Sequence, residues 1–213
     1  MFNYNDNFLT KTQIQGSLDK LRVSMAHILT YAEWPVSGPL PQHLTSISIN
    51  LKRTELIPVH EKWTGLSGRL TGVGDDKVLV RQQDFTIWNE EVPKYIKKLV
   101  NALEEEYNFR SGRVRLSNLK SMVCLNTHAD SEQRFHLAIT TNPRVFFYNN
   151  TFEVKNTQYS SLDQLDNFSG VGYHIPSDGF FYKSNTFFPH TAINSGWTDR
   201  VHLVVDICPP DQL

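Results

Sequence analysis

The stretch Asn126-Thr127-His128-Ala129-Asp130 sets an imidazole and a carboxylate two positions apart. In an extended chain such residues project to one face. His190 lies far along the chain, in Phe187-Phe188-Pro189-His190-Thr191-Ala192-Ile193-Asn194, and Arg200 follows ten residues later. Two imidazoles and one carboxylate on one side of a metal leave its opposite side open. That donor set suits a non-haem ferrous ion that must also take a co-substrate and dioxygen. The His-x-Asp triplet alone is weak, because 8 His and 22 Asp+Glu in 213 residues supply about one such triplet by chance. The context adds weight: Arg200 opens the apolar run Val201-His202-Leu203-Val204-Val205-Asp206-Ile207.

The elements that must position these residues read as two helices followed by many short strands. Thr12 to Tyr31 carries Ile14, Leu18, Leu21, Met25, Ile28 and Leu29 at helical spacing, with Gly16 weakening its start, so the helix breaks or begins near Ser17. Leu44 to Lys52 alternates as a half-buried strand. Glu90 to Tyr107 is the clearest helix, with Val92, Ile96, Leu99, Val100 and Leu103 on its buried stripe and Pro93 in its first turn. The run Glu104-Glu105-Glu106 reads as a solvated face. The Gly-punctuated stretch 56–83 reads as surface loop around a short strand at 77–81.

From Val114 onward strands dominate. Met122 to Thr127 feeds His128. Arg134 to Thr141 alternates, with Phe135, Leu137 and Ile139 on one side and Arg134, His136 and Ala138 on the other. Further strands are expected at 145–148, 172–175, 180–184, 191–194 and 201–208. The order of elements predicts an α+β fold with a double-sheet barrel.

Composition sets the bounds. A length of 213 residues suits one domain, 1–213, and 39% hydrophobic content supports a core. A net charge of −1 with interspersed signs gives no strong nucleic-acid signal. No apolar run reaches membrane-spanning length, and Met1 to Asn7 lacks the pattern of a signal peptide. Cys124 and Cys208 read as buried thiols, so a cytoplasmic location is expected. Arg110, Arg113, Arg115 and Lys120 read as a solvated basic face, His202 as structural, and Trp197 as a packing residue with substrate contact as the alternative.

The segment from Gly112 to the C-terminus resembles the aspartyl/asparaginyl β-hydroxylase and proline-hydroxylase-like group of Fe(II)/2-oxoglutarate oxygenases. The matching pieces are His128-Ala129-Asp130, Arg134-Phe135-His136-Leu137, Ser177-Asp178-Gly179, His190 to Asn194, and Arg200 to Asp206. The resemblance implies a double-stranded β-helix (a jelly-roll, cupin-like barrel) over 112–213, with N-terminal flanking helices in a mixed part, 1–111, packed on it. It implies that His128, Asp130 and His190 hold Fe(II). It implies that Arg200, with help from Ser117, grips the distal carboxylate of 2-oxoglutarate, and that Arg134 and His136 lie near the co-substrate's other end. An Arg fork can make two charge-assisted bonds to one carboxylate.

The activity implied is hydroxylation of an unactivated C–H of an amino-acid side chain, free or in a peptide, as 2-oxoglutarate becomes succinate and carbon dioxide. The substrate is an amino acid, peptide or protein. Two departures stand out. The animal β-hydroxylases have Gly where this chain has Asp130, and the stretch from Asp130 to His190 is longer than in the free-proline hydroxylases. A non-catalytic cupin-like binding protein and a zinc hydrolase using the same three ligands are the alternatives; Asp130 disfavours a halogenase, which needs that carboxylate gone. The barrel implied by the family also predicts that the strand ending at His128 runs beside the strand starting at Arg200, with Cys124 near Val204 and no Cys124–Cys208 disulfide.

Overall fold

A computed structural model of the chain describes residues 8–34, 44–48, 50–52, 70–71, 78–79, 82–150 and 170–208. Most of the expected loop at 56–83 and of the long segment at 149–170 lies outside these residues. The described chain is mostly antiparallel β with two helices.

The first strand and helix sit where one helix is expected. β1 covers Leu9–Gln15 and α1 covers Leu18–Ile28. Ser17 caps α1, its hydroxyl accepting from the Lys20 N–H, with Asp19 in the first turn. The break falls at Gly16, whose N–H donates to the Gly179 carbonyl at 2.8 Å. Gly179 has φ +81, and a Cβ there would come within 2.3 Å of the Gly16 carbonyl oxygen. Only glycine permits this turn.

The strands that follow are β2 (Leu44–Ser48), β3 (Asn50–Lys52), β4 (Leu70–Thr71), β5 (Val78–Leu79) and β6 (Phe85–Trp88). Helix α2 is Lys94–Tyr107, entered at Pro93 and ended by Asn108 in the left-handed region. The stripe Val92, Ile96, Leu99, Val100 and Leu103 is buried, as its spacing predicts. Glu104 is not merely solvated: its Oε1 accepts from the Ser111 backbone N–H at 2.7 Å and from the Ser111 hydroxyl at 2.6 Å, tying α2 to the next strand.

That strand is β7 (Arg110–Leu119). It is followed by β8 (Val123–Cys124), β9 (Arg134–Thr140), β10 (Val145–Asn150), β11 (Gly170–Tyr173), β12 (Phe180–Ser184), β13 (His190–Asn194) and β14 (Arg200–Cys208). The major sheet runs β1-β12-β9-β14-β7-β2, and the minor sheet runs β11-β10-β13-β8. β3 pairs with β6 and β4 with β5.

One face of the major sheet packs on the helices. Leu116, Phe135, Leu137, Ile139, Phe181, Leu203 and Val205 join Leu21 and Ile28 of α1 and Ile96, Leu99 and Leu103 of α2 in one apolar cluster. The opposite face turns inward, where Leu119, Ala138 and Tyr182 meet Phe147 and Ala192 of the minor sheet and Phe8 before β1. Two sheets closed face to face in this way make a jelly-roll-like sandwich.

The pairing of the strand before His128 differs from expectation. β14 lies between β7 and β9, with Val204 opposite Arg115 and His136, whereas Cys124 lies opposite Ile193 in the minor sheet. The cause is the turn at Met122, which takes φ 57 and ends any continuation of β7. The chain there leaves the major sheet for the minor one. Both cysteines are free, and Cys124 is exposed rather than buried. Among the described residues no helix is long and apolar enough to cross a membrane.

Candidate functional site

The candidate site forms where the minor sheet ends. His128 and His190 face each other as an isolated antiparallel bridge, each backbone N–H donating to the other's carbonyl at 3.0 and 2.8 Å. Residues opposed across an antiparallel pair share a face, so both rings point the same way, with centroids 4.5 Å apart. The Asp130 N–H donates to the Thr186 carbonyl at 2.8 Å, which returns its carboxylate to the same side. One ligand atom each from His128, Asp130 and His190 lies within 4.8 Å of the others.

The orientation of these groups suits a cation. His128 Nδ1 lies 2.8 Å from the Asn126 carbonyl, and His190 Nδ1 lies 2.9 Å from the Phe188 carbonyl. A carbonyl only accepts, so each Nδ1 carries a proton and Nε2 is the ring atom turned toward Asp130. His190 Nε2 is 3.4 Å from Asp130 Oδ2, and His128 Nε2 is 3.9 Å from Oδ1. Asp130 Oδ2 is buried, with the Arg134 guanidinium as its close charged contact. Burial raises the Asp130 pKa. Contact with His190 and the charge of Arg134 outweigh it, so the carboxyl sits below its ordinary value and stays anionic. Two imidazole nitrogens and a carboxylate turned to one point fit a divalent metal.

Arg134 stands behind Asp130. Its Nη1 is 2.5 Å from Asp130 Oδ2, and its Nε donates to Asp206 Oδ1 at 2.9 Å. Asp206 is fully buried and receives a second arginine, Arg115, on Oδ2. Burial lowers the Arg134 pKa, but Asp206 and Asp130 raise it more. Arg113 and Arg115 are buried inward-facing residues of β7, not a solvated face. Arg113 donates to the Ser48 hydroxyl at 2.7 Å, and burial, then Arg115, push its pKa down to about 9.

A second group lies deeper between the sheets. Phe147 stacks on His190 with centroids 5.8 Å apart, His136 meets Phe147 edge-on at 4.8 Å, and His202 meets His136 at 5.8 Å. Arg200 ends this line. It is 3% exposed, and its Nη1 lies 3.0 Å from His202 Nδ1. Because the guanidinium only donates, His202 Nδ1 accepts. Ser117 is buried opposite His202 in the β7–β14 register. Among the described residues no carboxylate pairs with Arg200, and burial alone pushes its pKa down to about 9.

Burial and then the charge of Arg200 hold His136 and His202 well below the ordinary histidine value, so both are neutral. Arg200 Nε, His202 Nε2 and both nitrogens of His136 are buried without hydrogen-bond partners among the described residues. Buried polar groups are rarely left so. A cation surrounded by unmet polar atoms fits a carboxylate ligand that reaches in from the triad.

The structure therefore brings His128, Asp130 and His190 together. It sets Arg134 on Asp130, and it gathers His136, Ser117 and Arg200 around the deeper group. Trp197 is 80% exposed on the turn between β13 and β14, at the end of β13 away from His190, and packs on neither group. Sequence reasoning gave Asp206 and Phe147 no role and read Arg115 as part of a solvated face, whereas it is buried. A charge inside the apolar run Val204 to Ile207 was the available sign, since such a residue is buried only when paired.

No family model matches the sequence, and no curated protein matches it. Solved structures share its fold. An oxidoreductase of the 2OG-Fe(II) oxygenase family from Burkholderia pseudomallei is 11% identical, with 89% of this chain and 76% of that one covered and a TM-score of 0.50. A prolyl-4-hydroxylase from Pseudomonas putida is 9% identical over 94% and 92% of the two chains, with a TM-score of 0.50. SnoK, a non-haem α-ketoglutarate-dependent carbocyclase from nogalamycin biosynthesis, is 9% identical over 96% and 80%, with a TM-score of 0.53. At such identities the likeness is one of fold. The chain has the fold of 2OG-Fe(II) oxygenases and carries a His-Asp-His cluster on it.

Proposed function

We propose that the chain is a single-domain Fe(II)- and 2-oxoglutarate-dependent dioxygenase. In this reading 1–111 packs on the barrel core 112–213, and the enzyme hydroxylates an unactivated C–H of an amino-acid side chain, free or peptidyl. One observation carries the proposal: three metal-type donors converge at one end of an aromatic and imidazole line whose other end is a buried Arg that pairs with no carboxylate among the described residues. That the Pseudomonas putida neighbour is a prolyl-4-hydroxylase supports hydroxylation as the outcome.

His128, Asp130 and His190 are assigned as ligands of Fe(II). With the metal bound, 2-oxoglutarate and dioxygen would supply the oxidant, one oxygen atom going to succinate as carbon dioxide leaves and the other to the C–H bond. The protein does the rest. Arg200 takes the distal carboxylate of the keto-acid with a charge-assisted fork, and Ser117 and His202 line the same place. His136 offers a neutral donor and acceptor between that anchor and the metal. Arg134 already spans Asp130 and Asp206, so its share is to hold Asp130 anionic beside the keto-acid's metal end. Phe147 and the other aromatics around His190 keep bulk water from the ring. A purely structural barrel gives Arg200 no role, and a zinc hydrolase gives it none either.

The test is succinate formation from 2-oxoglutarate with Fe(II), screened over free amino acids and short peptides. Wild type turns over with a matching substrate and Asp130→Ala does not. Undiminished turnover in Asp130→Ala would sink the proposal. So would the absence of an iron and 2-oxoglutarate charge-transfer band under anaerobic conditions.

A further inference from the structure

We infer that Asp206 is a positioning residue for the metal site, acting through Arg134 on Asp130. The inference rests on the reading of Asp130 as a metal ligand. The chain of contacts is continuous and buried: Arg115 to Asp206 Oδ2, Asp206 Oδ1 to Arg134 Nε at 2.9 Å, and Arg134 Nη1 to Asp130 Oδ2 at 2.5 Å.

The geometry sets two opposing demands on Arg134. It must stay close enough to Asp130 to fix the carboxylate's rotation. It must not hold the whole of that negative charge, because a carboxylate fully paired with a guanidinium is a poor ligand for a divalent ion. Asp206 meets both demands. Through Nε it locks the plane of the Arg134 fork, and it shares the fork's charge with Asp130. Arg115 in turn takes up part of the Asp206 charge, so Asp206 cannot draw Arg134 wholly away.

The strand registers support this division of labour. Asp206 lies opposite Arg134 across β14 and β9, so the pair is set by sheet hydrogen bonds and not by flexible loops. Arg115 reaches Asp206 from β7 on the other side of β14. Three neighbouring strands of the major sheet thus fix the rotation of a side chain at the end of the minor sheet. Outer-shell groups of this kind typically change metal affinity by about 10–100-fold when removed.

A bland reading competes: Asp206 only neutralises two buried arginines, and its loss would unfold the protein. Asp206→Asn alone does not separate the two. The double variant Asp206→Leu with Arg115→Met removes one charge of each sign and restores the balance, and it leaves Arg134 Nε without its acceptor. Mn(II) affinity, read by titration with 2-oxoglutarate present, is the measurement, and urea unfolding is the companion.

The expected result is a double variant with near wild-type unfolding and Mn(II) affinity weaker by roughly 10–100-fold. Wild-type Mn(II) affinity in the double variant overturns the inference. Should the double variant unfold, Arg134→Lys replaces it, since an ammonium keeps the charge but has no rigid fork to span two carboxylates; weakened Mn(II) binding supports the inference and unchanged binding overturns it. Asp130→Ala is the separate control. If it binds Mn(II) as tightly as wild type, Asp130 is not a ligand and the underlying reading fails, a result distinct from failure of the Asp206 role.

Discussion

The two faces of the major sheet are built from the same strands and obey opposite rules. Toward the helices, Leu116, Phe135, Leu137 and Leu203 present only carbon and are fully buried. Toward the minor sheet, the alternate residues of the same strands are Arg115, Ser117, Arg134, His136, Arg200, His202 and Asp206. Several of these keep buried atoms without partners. Burying apolar area stabilises by about 25 cal/mol per Å², whereas burying an unpaired polar group costs about 1–3 kcal/mol. The outer face therefore supplies stability that the inner face consumes. The difference teaches where to look for function: in groups whose presence weakens the fold unless something else binds them.

The largest expected effect lies on the outer face. Phe135 is fully buried, with the rings of Tyr107 and Phe109 each 5.2 Å away. Phe135→Ala removes that packing and leaves a cavity, at an expected cost of about 3–5 kcal/mol. Urea unfolding should show the loss. Co-substrate affinity measured in the remaining folded protein should stay near wild type. If 2-oxoglutarate binding weakens in proportion to the lost stability, the two faces are not separable.

The inner face should respond the other way. Arg200 is a buried cation, and among the described residues no carboxylate pairs with it, so removing its charge should relieve the fold. Arg200→Met is expected to stabilise the ligand-free protein by about 1–4 kcal/mol, the range seen when buried ionic groups give way to apolar ones. The same variant should lose the thermal stabilisation that 2-oxoglutarate gives wild type. A destabilised Arg200→Met protein, or one still stabilised by 2-oxoglutarate, would show that Arg200 serves the fold and not the ligand.

The outer face was legible in the sequence, and the inner face only in part. Strict alternation from Arg134 to Thr140 and the stripe of α2 announce their buried sides through period alone. His128, Asp130 and His190 were readable because residue type, spacing and the family resemblance agreed. The charge network was not. Arg113 and Arg115 carry the pattern of a solvated basic strand, and the partners that make their burial tolerable, Ser48 for Arg113 and Asp206 in β14 for Arg115, are distant in sequence. Thr12 to Gln15 reads as helix because Ile14 keeps step with Leu18. Pairing of Leu9, Thr10 and Lys11 with Ser184, Lys183 and Tyr182 overrides that local preference. The crossing from β7 to β8 was hidden because Met122, not Gly or Asn, takes the left-handed turn.

The smallest expected effect tests the border between the faces, at the edge strand β1. Lys11 Nζ lies 2.8 Å from Asp178 Oδ2, and the Tyr182 hydroxyl donates to the same oxygen at 2.9 Å. The Phe180 N–H donates to Oδ1 at 3.1 Å. Burial opposes ionisation, but the Lys11 contact and these hydrogen bonds together outweigh it, so the Asp178 carboxyl titrates below its ordinary value. A depressed carboxylate pKa adds stability above the unfolded pKa, and that stability disappears as pH falls through the folded value. The pair is largely solvated, so Asp178→Asn should cost only about 0–1 kcal/mol near pH 7. Below the folded pKa of Asp178 the difference from wild type should vanish. A constant difference across the acid range would mean that Asp178 acts through turn geometry at Gly179 and not through its charge.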